Sequence, residues 1–241
     1  MRRVILTLTL PALLAAGAGR ASAGGLDLRG GAFFPRGHES LFQDLNSLYT
    51  PIGADTLRGV EPKDFIGGYG GGEFNAVVAR NLEIGISYDY YSNSVDTSYR
   101  DYTRPDGSEI QQHLHLAVSP LALTVRFLPT DKSRHVVPFI GGGVDAIFYH
   151  YDEVGDFIDF FDPTLPIKSD AFHDDGTAFG VHALGGVRWY LNRDFAIVLE
   201  GRYQWAKEDM GLDFAPNPES GLVNTIDLSG ASATLGVHIR F

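Results

Sequence analysis

The chain has 241 residues, enough for one membrane barrel or one mid-sized soluble domain. Its 30 acidic and 19 basic side chains give a formal net charge of −11, which argues against nucleic acid as a partner. The absence of cysteine excludes disulfides, cysteine-bound metals and the lipid anchor that a lipoprotein carries on its cysteine.

The first 23 residues have the pattern of a secretory signal. Arg2-Arg3 precede an apolar stretch at 4–19, and the small residues at 21–23 provide a cleavage site. The apolar stretch is too short for a comfortable membrane-spanning helix. Twin-arginine export is disfavoured because the wider motif is absent. We predict that 1–23 is cleaved and that 24–241 forms one domain exported through the periplasm.

Large apolar and polar side chains alternate along most of the remaining chain, as in strands with one apolar face. No later segment approaches the roughly 20 apolar residues of a spanning helix, so a membrane location would require a closed barrel. We predict eight strands, at 26–34, 66–78, 82–91, 112–128, 136–150, 179–189, 195–205 and 233–241.

The connections between these strands are alternately short and long. The long ones lie at 36–64, 92–111, 151–176 and 207–226. This asymmetry is typical of outer-membrane barrels, which have both termini on the periplasmic side. Within 112–128 the alternation changes phase near Pro120. Because proline cannot donate to a β-ladder, we predict a bulge there.

The last strand also resembles the signal that barrel-assembly machinery recognises. Its apolar side chains Val237, Ile239 and Phe241 alternate with small or polar residues, and the strand finishes on an aromatic. We therefore expect these three residues to contribute to membrane assembly.

From His113 onward the chain resembles the OmpW family, within the wider group of OmpA/OmpX-type small barrels. The resemblance rests on the proline-containing strand at 115–120, Val-Pro-Phe-Ile-Gly-Gly-Gly at 137–143, the segment 185–194 and the terminal 236–241. It implies a narrow barrel that passes small, often apolar molecules.

The inward strand faces carry charges of both signs, which we predict to form an ion network across the lumen. Buried charges must be paired or hydrated, and eight strands enclose a space barely wider than the side chains. A plug that stabilises the barrel is preferred to a gated or narrow polar path. The predicted members are Asp27, Arg29, Glu73, Glu83, Asp89, Arg126, Asp145, His182, Arg188, Glu200, Arg202, His238 and Arg240.

The long segment 151–176 mixes carboxylates with apolar side chains, and we expect it to be an extracellular loop. Its oxygens would suit the divalent cations that bridge lipopolysaccharide, and its apolar residues would suit a lid over the barrel mouth. A solvated acidic loop with a hydrophobic anchor is the preferred interpretation. The residues selected are Asp156, Phe157, Asp159, Phe160, Phe161 and Asp162.

Three other motifs resemble functional sites, but each lacks a feature that the function requires. The glycine-rich 67–72 resembles a phosphate loop, but strand residues follow it where a helix is required. His113 and His115 would share a strand face, but no third metal ligand can be placed. His38 and Ser40 have the spacing of barrel enzymes that deacylate lipid A, but they lie at a loop mouth. We predict no catalytic residue, cofactor or metal.

The sequence thus predicts an eight-stranded antiparallel up-and-down β-barrel in the bacterial outer membrane, in contact with its lipids and lipopolysaccharide. The favoured function is a narrow OmpW-like channel for small solutes, apolar ones included. The alternative is a closed structural or surface-interaction barrel with acidic extracellular loops. A lipid A-modifying enzyme is the least favoured.

Overall fold

A computed structural model gives the fold. The predicted signal at 1–23, together with His38 and Ser40, lies outside the residues that the structure describes. No helix among the described residues is long and apolar enough to cross a membrane. The described residues are 24–36, 60, 62–130, 135–158, 164, 166–210 and 225–241.

Eight strands close into a ring in which every strand is antiparallel to both neighbours. The ring is completed where the first strand pairs with the last, and a further short strand at Thr225–Asp227 pairs outside it with the strand Phe195–Asp209. The prediction of an eight-stranded antiparallel barrel is confirmed. The strands are β1 (Gly24–Pro35), β2 (Gly67–Ala79), β3 (Leu82–Thr103), β4 (Glu109–Phe127), β5 (Val136–Ile158), β6 (Ile167–Tyr190), β7 (Phe195–Asp209), β8 (Thr225–Asp227) and β9 (Gly230–Arg240).

Large apolar side chains point outward around the ring and form what we call the apolar belt. Ile140 is 64% exposed and Phe179 is 77% exposed, values that lipid rather than water accommodates. Other members of the belt include Leu28, Ile86, Leu123, Val144, Val181, Leu199 and Val237.

The strands differ in length at the end of the barrel that has the long connections, which we call the upper end. Strands β3 to β6 contain 19 to 24 residues, whereas β1, β2, β7 and β9 contain 11 to 15. The long strands continue upward as a four-stranded protruding sheet, made of 92–103, 109–117, 150–158 and 167–175. The prediction of long loops at 92–111 and 151–176 was therefore wrong for 92–103, 109–111, 151–158 and 167–176, which are strand.

Strand β4 has no bulge at Pro120, which is also a correction. Its pairing with β5 keeps one register throughout, with Pro120 opposite Ile147. The apparent phase change has another cause: below Pro120 the outward side chains are apolar, as at Leu123, while above it the inward ones are, as at Leu114. The environments of the two faces of β4 change at this height, while its pairing register stays the same.

Candidate functional site in the barrel lumen

The middle of the lumen is filled by charged side chains, which we call the charge layer. At its centre Arg126 donates two hydrogen bonds to the Glu73 carboxylate, one of them at 2.8 Å, and another to Glu200 at 2.7 Å. Its Nη1 also donates to Asn75 Oδ1 at 2.6 Å. None of these four residues is more than 4% exposed.

A second arginine, Arg29, extends the charge layer toward the upper end. Its Nε and Nη2 donate to the two Asp89 carboxylate oxygens at 2.9 and 2.6 Å. Its Nη1 donates to Glu73 and Glu200, both at 3.1 Å. Arg202 joins less closely, with Nη2 at 3.3 Å from Glu200 Oε1. Two glutamates therefore sit among three arginines.

A third arginine, Arg188, extends the layer toward the lower end. It donates to Glu83 at 2.7 Å and to Asp27 at 3.2 Å. Asp27 also accepts from Asn75 at 2.9 Å and contacts His238 Nδ1 at 2.5 Å. Through Asn75 and Arg126 this group is continuous with the rest of the charge layer.

The remaining predicted members lie beside this connected set. His182 Nδ1 contacts Asp145 Oδ1 at 2.8 Å, and its Nε2 is 3.0 Å from the Thr124 hydroxyl. Arg240 lies at the lower end, with its guanidinium 4.4 Å from the centre of the Tyr190 ring. Of the predicted network, ten residues are joined, the His182–Asp145 pair is separate, and Arg240 stacks on an aromatic ring.

Above the charge layer, apolar side chains pack in the upper lumen and along the inner face of the protruding sheet, and we call them the upper cluster. Phe33 stacks on Tyr69 with ring centres 6.0 Å apart and meets Tyr91 edge-on at 5.1 Å. The Tyr91 hydroxyl donates to the Phe65 carbonyl. Other members are Ile110, Leu114, Leu116, Val118, Ile147, Tyr149, Tyr151, Ile158, Ile226 and Leu228.

A second apolar group lies at the lower end and supports the charge layer from one side. Phe139 is its central member, with the guanidinium carbons of Arg126 and Arg188 at 5.2 and 5.5 Å from its ring centre. Both contacts are cation–π interactions, which suit desolvated arginines. The other members are Leu128, Val137, Leu184, Tyr190, Ala196 and Val198.

A cavity of about 140 Å³ opens at the lower end of the lumen, beside Arg80 and Arg240. Its inner wall is formed by Asn75, Glu83 and His238, three residues of the charge layer or in direct contact with it. Glu83 and His238 are each at least 96% buried and bonded to other members of the layer. The cavity therefore ends where the charge layer begins.

The residues selected from the acidic and aromatic segment lie partly within strand β5. Asp156 is bonded to Arg104 and accepts from the Ser169 hydroxyl at 2.5 Å, while Phe157 packs edge-on against Phe172 at 5.0 Å. Neither belongs to a solvated loop. Asp159, Phe160, Phe161 and Asp162 lie outside the described residues.

Tyr99 stands inside the protruding sheet near Phe157 and links two of its strands. Its hydroxyl oxygen accepts from the Ile158 backbone N–H and from Gln112 Nε2, each at 3.3 Å. Burial raises the pKa of Tyr99 to about 12. The hydroxyl therefore stays neutral, and the inner face of the sheet is fixed by side-chain bonds as well as by its ladder.

The three C-terminal residues selected from the sequence lie at the seam between β1 and β9. Val237 pairs with Leu28, and Ile239 pairs with Leu26. The Phe241 ring lies 5.6 Å from that of Phe74 on the outward side. Their expected role in membrane assembly remains a prediction.

His113 and His115 point outward on the protruding sheet, where they contact Asp96 and Ser94. Among the described residues, no group of three or more His, Cys, Asp or Glu side chains is placed to hold a metal ion.

The sequence interpretation missed two features of the lumen. Asn75 bridges Arg126 and Asp27, and the signal for it was available, because it occupies the same strand face as Glu73. The upper cluster was signalled by the phase change of β4, which we assigned to a bulge.

Comparison with known proteins shows similarity of fold. No family model matches the sequence, and no curated protein matches it significantly. The outer membrane protein OprG of Pseudomonas aeruginosa is similar in structure, with a TM-score of 0.54 and 14% identity over 91% of this chain and 97% of OprG.

Two other solved barrels are similar at lower scores. Neisserial surface protein A gives a TM-score of 0.49 and 13% identity over 91% of this chain and 97% of its own. The E. coli outer membrane protein W gives 0.38 and 16% identity over 92% of this chain and 100% of its own. The similarity to OprG shows that the fold is the small outer-membrane β-barrel that the sequence motifs indicated.

Proposed function

We propose that this small outer-membrane β-barrel is closed, and that it anchors the protruding sheet outside the cell as a surface for binding external partners. The observation that carries the proposal is the filling of the lumen at three heights, by the upper cluster, the charge layer and the lower apolar group. This favours the closed alternative over the channel.

The charge layer is poorly suited to act as an ion filter. Each of its carboxylates is already neutralised, as Glu73 is by Arg126 and Asp89 is by Arg29. Opening a water path would separate charges that lie in a low-dielectric interior, and removing one partner from such a pair costs about 3–5 kcal/mol. An unassisted opening of that kind would be rare.

The protruding sheet offers the clearest binding surface. Strand β6 pairs with β5 up to Ile167, but its pairing with β7 reaches only Gly180. The sheet therefore extends well beyond the closed ring. Its outward face carries exposed polar side chains, such as Gln111 and Asp175, that an external protein can contact.

The conductance of the folded protein in a planar bilayer tests whether the barrel is closed. We expect no steady unitary current from protein whose folding is verified by heat-modifiable migration on gels. Arg202→Ala, which removes the most loosely held arginine of the charge layer, should likewise give no steady unitary current. Steady currents from the unmodified protein that change in Arg202→Ala would overturn the closed barrel.

A shortened variant tests the binding surface. Tyr149 and Gly176 are register partners, so residues 150–175 can be replaced by a two-residue Asn-Gly turn. Cells displaying this variant should lose adhesion to host cells or matrix proteins that cells displaying the full chain bind. Undiminished adhesion would remove the protruding sheet from the proposal while leaving the closed lumen intact.

Passage of small apolar solutes is a second candidate, favoured by the apolar lining of the upper lumen. Uptake of a small aromatic hydrocarbon into liposomes containing the barrel tests it. This candidate would be favoured if uptake were faster than in protein-free liposomes and if Leu114→Asp, which places a charge in the upper cluster, abolished that faster uptake. The lipid A-modifying alternative relied on His38 and Ser40, outside the described residues, and we do not propose it.

A further inference from the structure

Half of the eight histidines of the chain lie together on the outward face of the protruding sheet. They occupy adjacent strands, with His113 and His115 on β4, His150 on β5 and His173 on β6. Cross-strand pairing places His115 opposite Asp152, and Asp152 opposite His173. We call these four side chains and their carboxylate partners the histidine patch.

All four rings have Nδ1 bonded to the protein, and in three of them this is the nitrogen through which the ring is held. His113 Nδ1 is 2.7 Å from Asp96 Oδ1, and His173 Nδ1 is 2.6 Å from Asp152 Oδ1. His115 Nδ1 is 2.9 Å from the Ser94 hydroxyl. Because Nε2 lies on the other side of an imidazole ring, each of these histidines has a second nitrogen directed away from its partner.

The fourth ring, His150, is held between two carboxylates. Its Nδ1 is 2.5 Å from Asp175 Oδ1 and its Nε2 is 2.7 Å from Asp152 Oδ2. A neutral imidazole has one N–H, so both bonds are satisfied only by the imidazolium form. Burial alone would lower the pKa of His150, but the two carboxylates outweigh it and raise that pKa.

The charge of the histidine patch consequently depends on how many of its imidazoles are protonated. With all four imidazoles protonated, four positive charges face the three carboxylates of Asp96, Asp152 and Asp175, a net charge of +1. With only His150 protonated, one positive charge faces the same three carboxylates, a net charge of −2. Imidazole groups in general change charge between about pH 5 and 8. The charged groups on the rows above the patch are Asp101, Arg104, Glu109 and Asp156, with Lys168 and Asp170 on the opposite face of β6.

The patch stands immediately above the apolar belt. Phe148, which is 46% exposed, lies two residues before His150 on the same face of β5, and Tyr90, 52% exposed, lies four residues before Ser94 on β3. Two residues of a strand span about 6.6 Å, so the patch begins within one row of the aromatic rim. In a membrane this is the level of the lipid headgroups, which in the outer leaflet carry phosphates.

We propose that the histidine patch binds the phosphate groups of lipopolysaccharide when its imidazoles are protonated, and that this contact weakens as the pH rises. Each protonated Nε2–H donates a charge-assisted hydrogen bond to a phosphate oxygen. When the imidazoles are neutral, the uncompensated aspartates repel the phosphate. This goes beyond the proposed function, because the ligand is the lipid around the base of the sheet and not an external protein.

Folded full-length barrel in nanodiscs, titrated with bisphosphorylated lipid A in the presence of EDTA, tests the proposal. The three ion pairs between phosphates and His113, His115 and His173 are exposed and individually weak. Together they predict that the affinity for lipid A is about tenfold higher near pH 5.5 than near pH 7.5. Dephosphorylated lipid A should show no such difference. An equal pH dependence with the dephosphorylated lipid, or none with the phosphorylated one, would overturn the proposal.

Two sets of variants assign the effect to the patch. The triple variant His113→Gln/His115→Gln/His173→Gln should bind lipid A equally at both pH values, whereas His135→Gln, an exposed histidine at the lower end, should behave as the unmodified chain. In the opposite direction, Asp96→Asn should raise affinity near pH 7.5. If the triple variant keeps the full pH dependence, the patch is not the site.

Discussion

Arg126 is the side chain on which the charge layer most depends. Arg126→Met would leave Glu73 and Glu200 without their closest cation in a buried site, and such a loss costs about 3–5 kcal/mol. We expect the urea midpoint of the folded barrel in detergent to fall accordingly. Arg193→Met, in an exposed turn at the lower end, is the control and should change stability by less than about 0.5 kcal/mol. Equal midpoints for the two variants would contradict a stabilising role of the layer.

The stabilisation that His150 gives to the protruding sheet should be lost in alkaline conditions. Its pKa is raised from the 6.5 of an unfolded chain, so its stabilisation is fully present below about pH 6.5 and is lost as the pH rises through the raised value. His150→Gln should therefore melt below the unmodified chain near pH 6, and the difference should narrow near pH 8.5. A difference in Tm that is constant over this range would refute the assignment.

The sequence predicted on which strand face each charged residue lies, but it did not predict with which residue each one forms an ion pair. The two-residue period of a strand places Arg29 and Glu73 on inward faces, and both side chains are at least 96% buried. Which charges meet depends on how the strands are staggered around the ring. Arg29 reaches Asp89 and Glu200, which are 60 and 171 residues away along the chain. No local pattern contains that information.

Among the elements, the seam between β1 and its neighbours is closed by glycines that differ in their tolerance of a side chain. A Cβ added at Gly31 would lie 1.9 Å from the Ala233 carbonyl oxygen, whereas one added at Gly30 would have no atom within 4 Å. Gly31→Ala should destabilise the barrel by about 1–3 kcal/mol, because backbone must move, and Gly30→Ala should be nearly neutral. Thermal melting of the two variants in detergent compares them directly, and equal loss would contradict a close strand approach at Gly31.

Strand β4 explains why the elements were predicted less completely than the fold. Below Pro120 it faces lipid outward and charges inward, but above it the apolar side chains turn to the upper cluster and His113 and His115 face outward. The alternation with one lipid-facing side holds only within the membrane, and it no longer applies where the strand leaves the membrane. The upper halves of β3, β5 and β6 were assigned to loops for the same reason.

For the whole molecule, the barrel and the protruding sheet should be separable. The charge layer lies below the row of Tyr149 and Gly176, so replacing 150–175 with the Asn-Gly turn leaves all its residues in place. The shortened variant should reach the outer membrane at normal levels and keep its heat-modifiable migration. A matched replacement of Val144 by Asp, which puts a charge in the apolar belt, should lower that level. Failure of the shortened variant to assemble would mean that the sheet contributes to folding of the barrel.

The bond between Asp27 and His238 has a consequence for the order of assembly. These residues belong to the first and last strands and are separated by 211 positions, yet they lie 2.5 Å apart across the seam. Until β9 arrives, Asp27 and its neighbours face a half-formed lumen in which one partner is missing. Pairing of the final strand with β1 therefore also completes the polar interior, because it brings His238 to Asp27. Closing the ring and satisfying this buried carboxylate are parts of the same step.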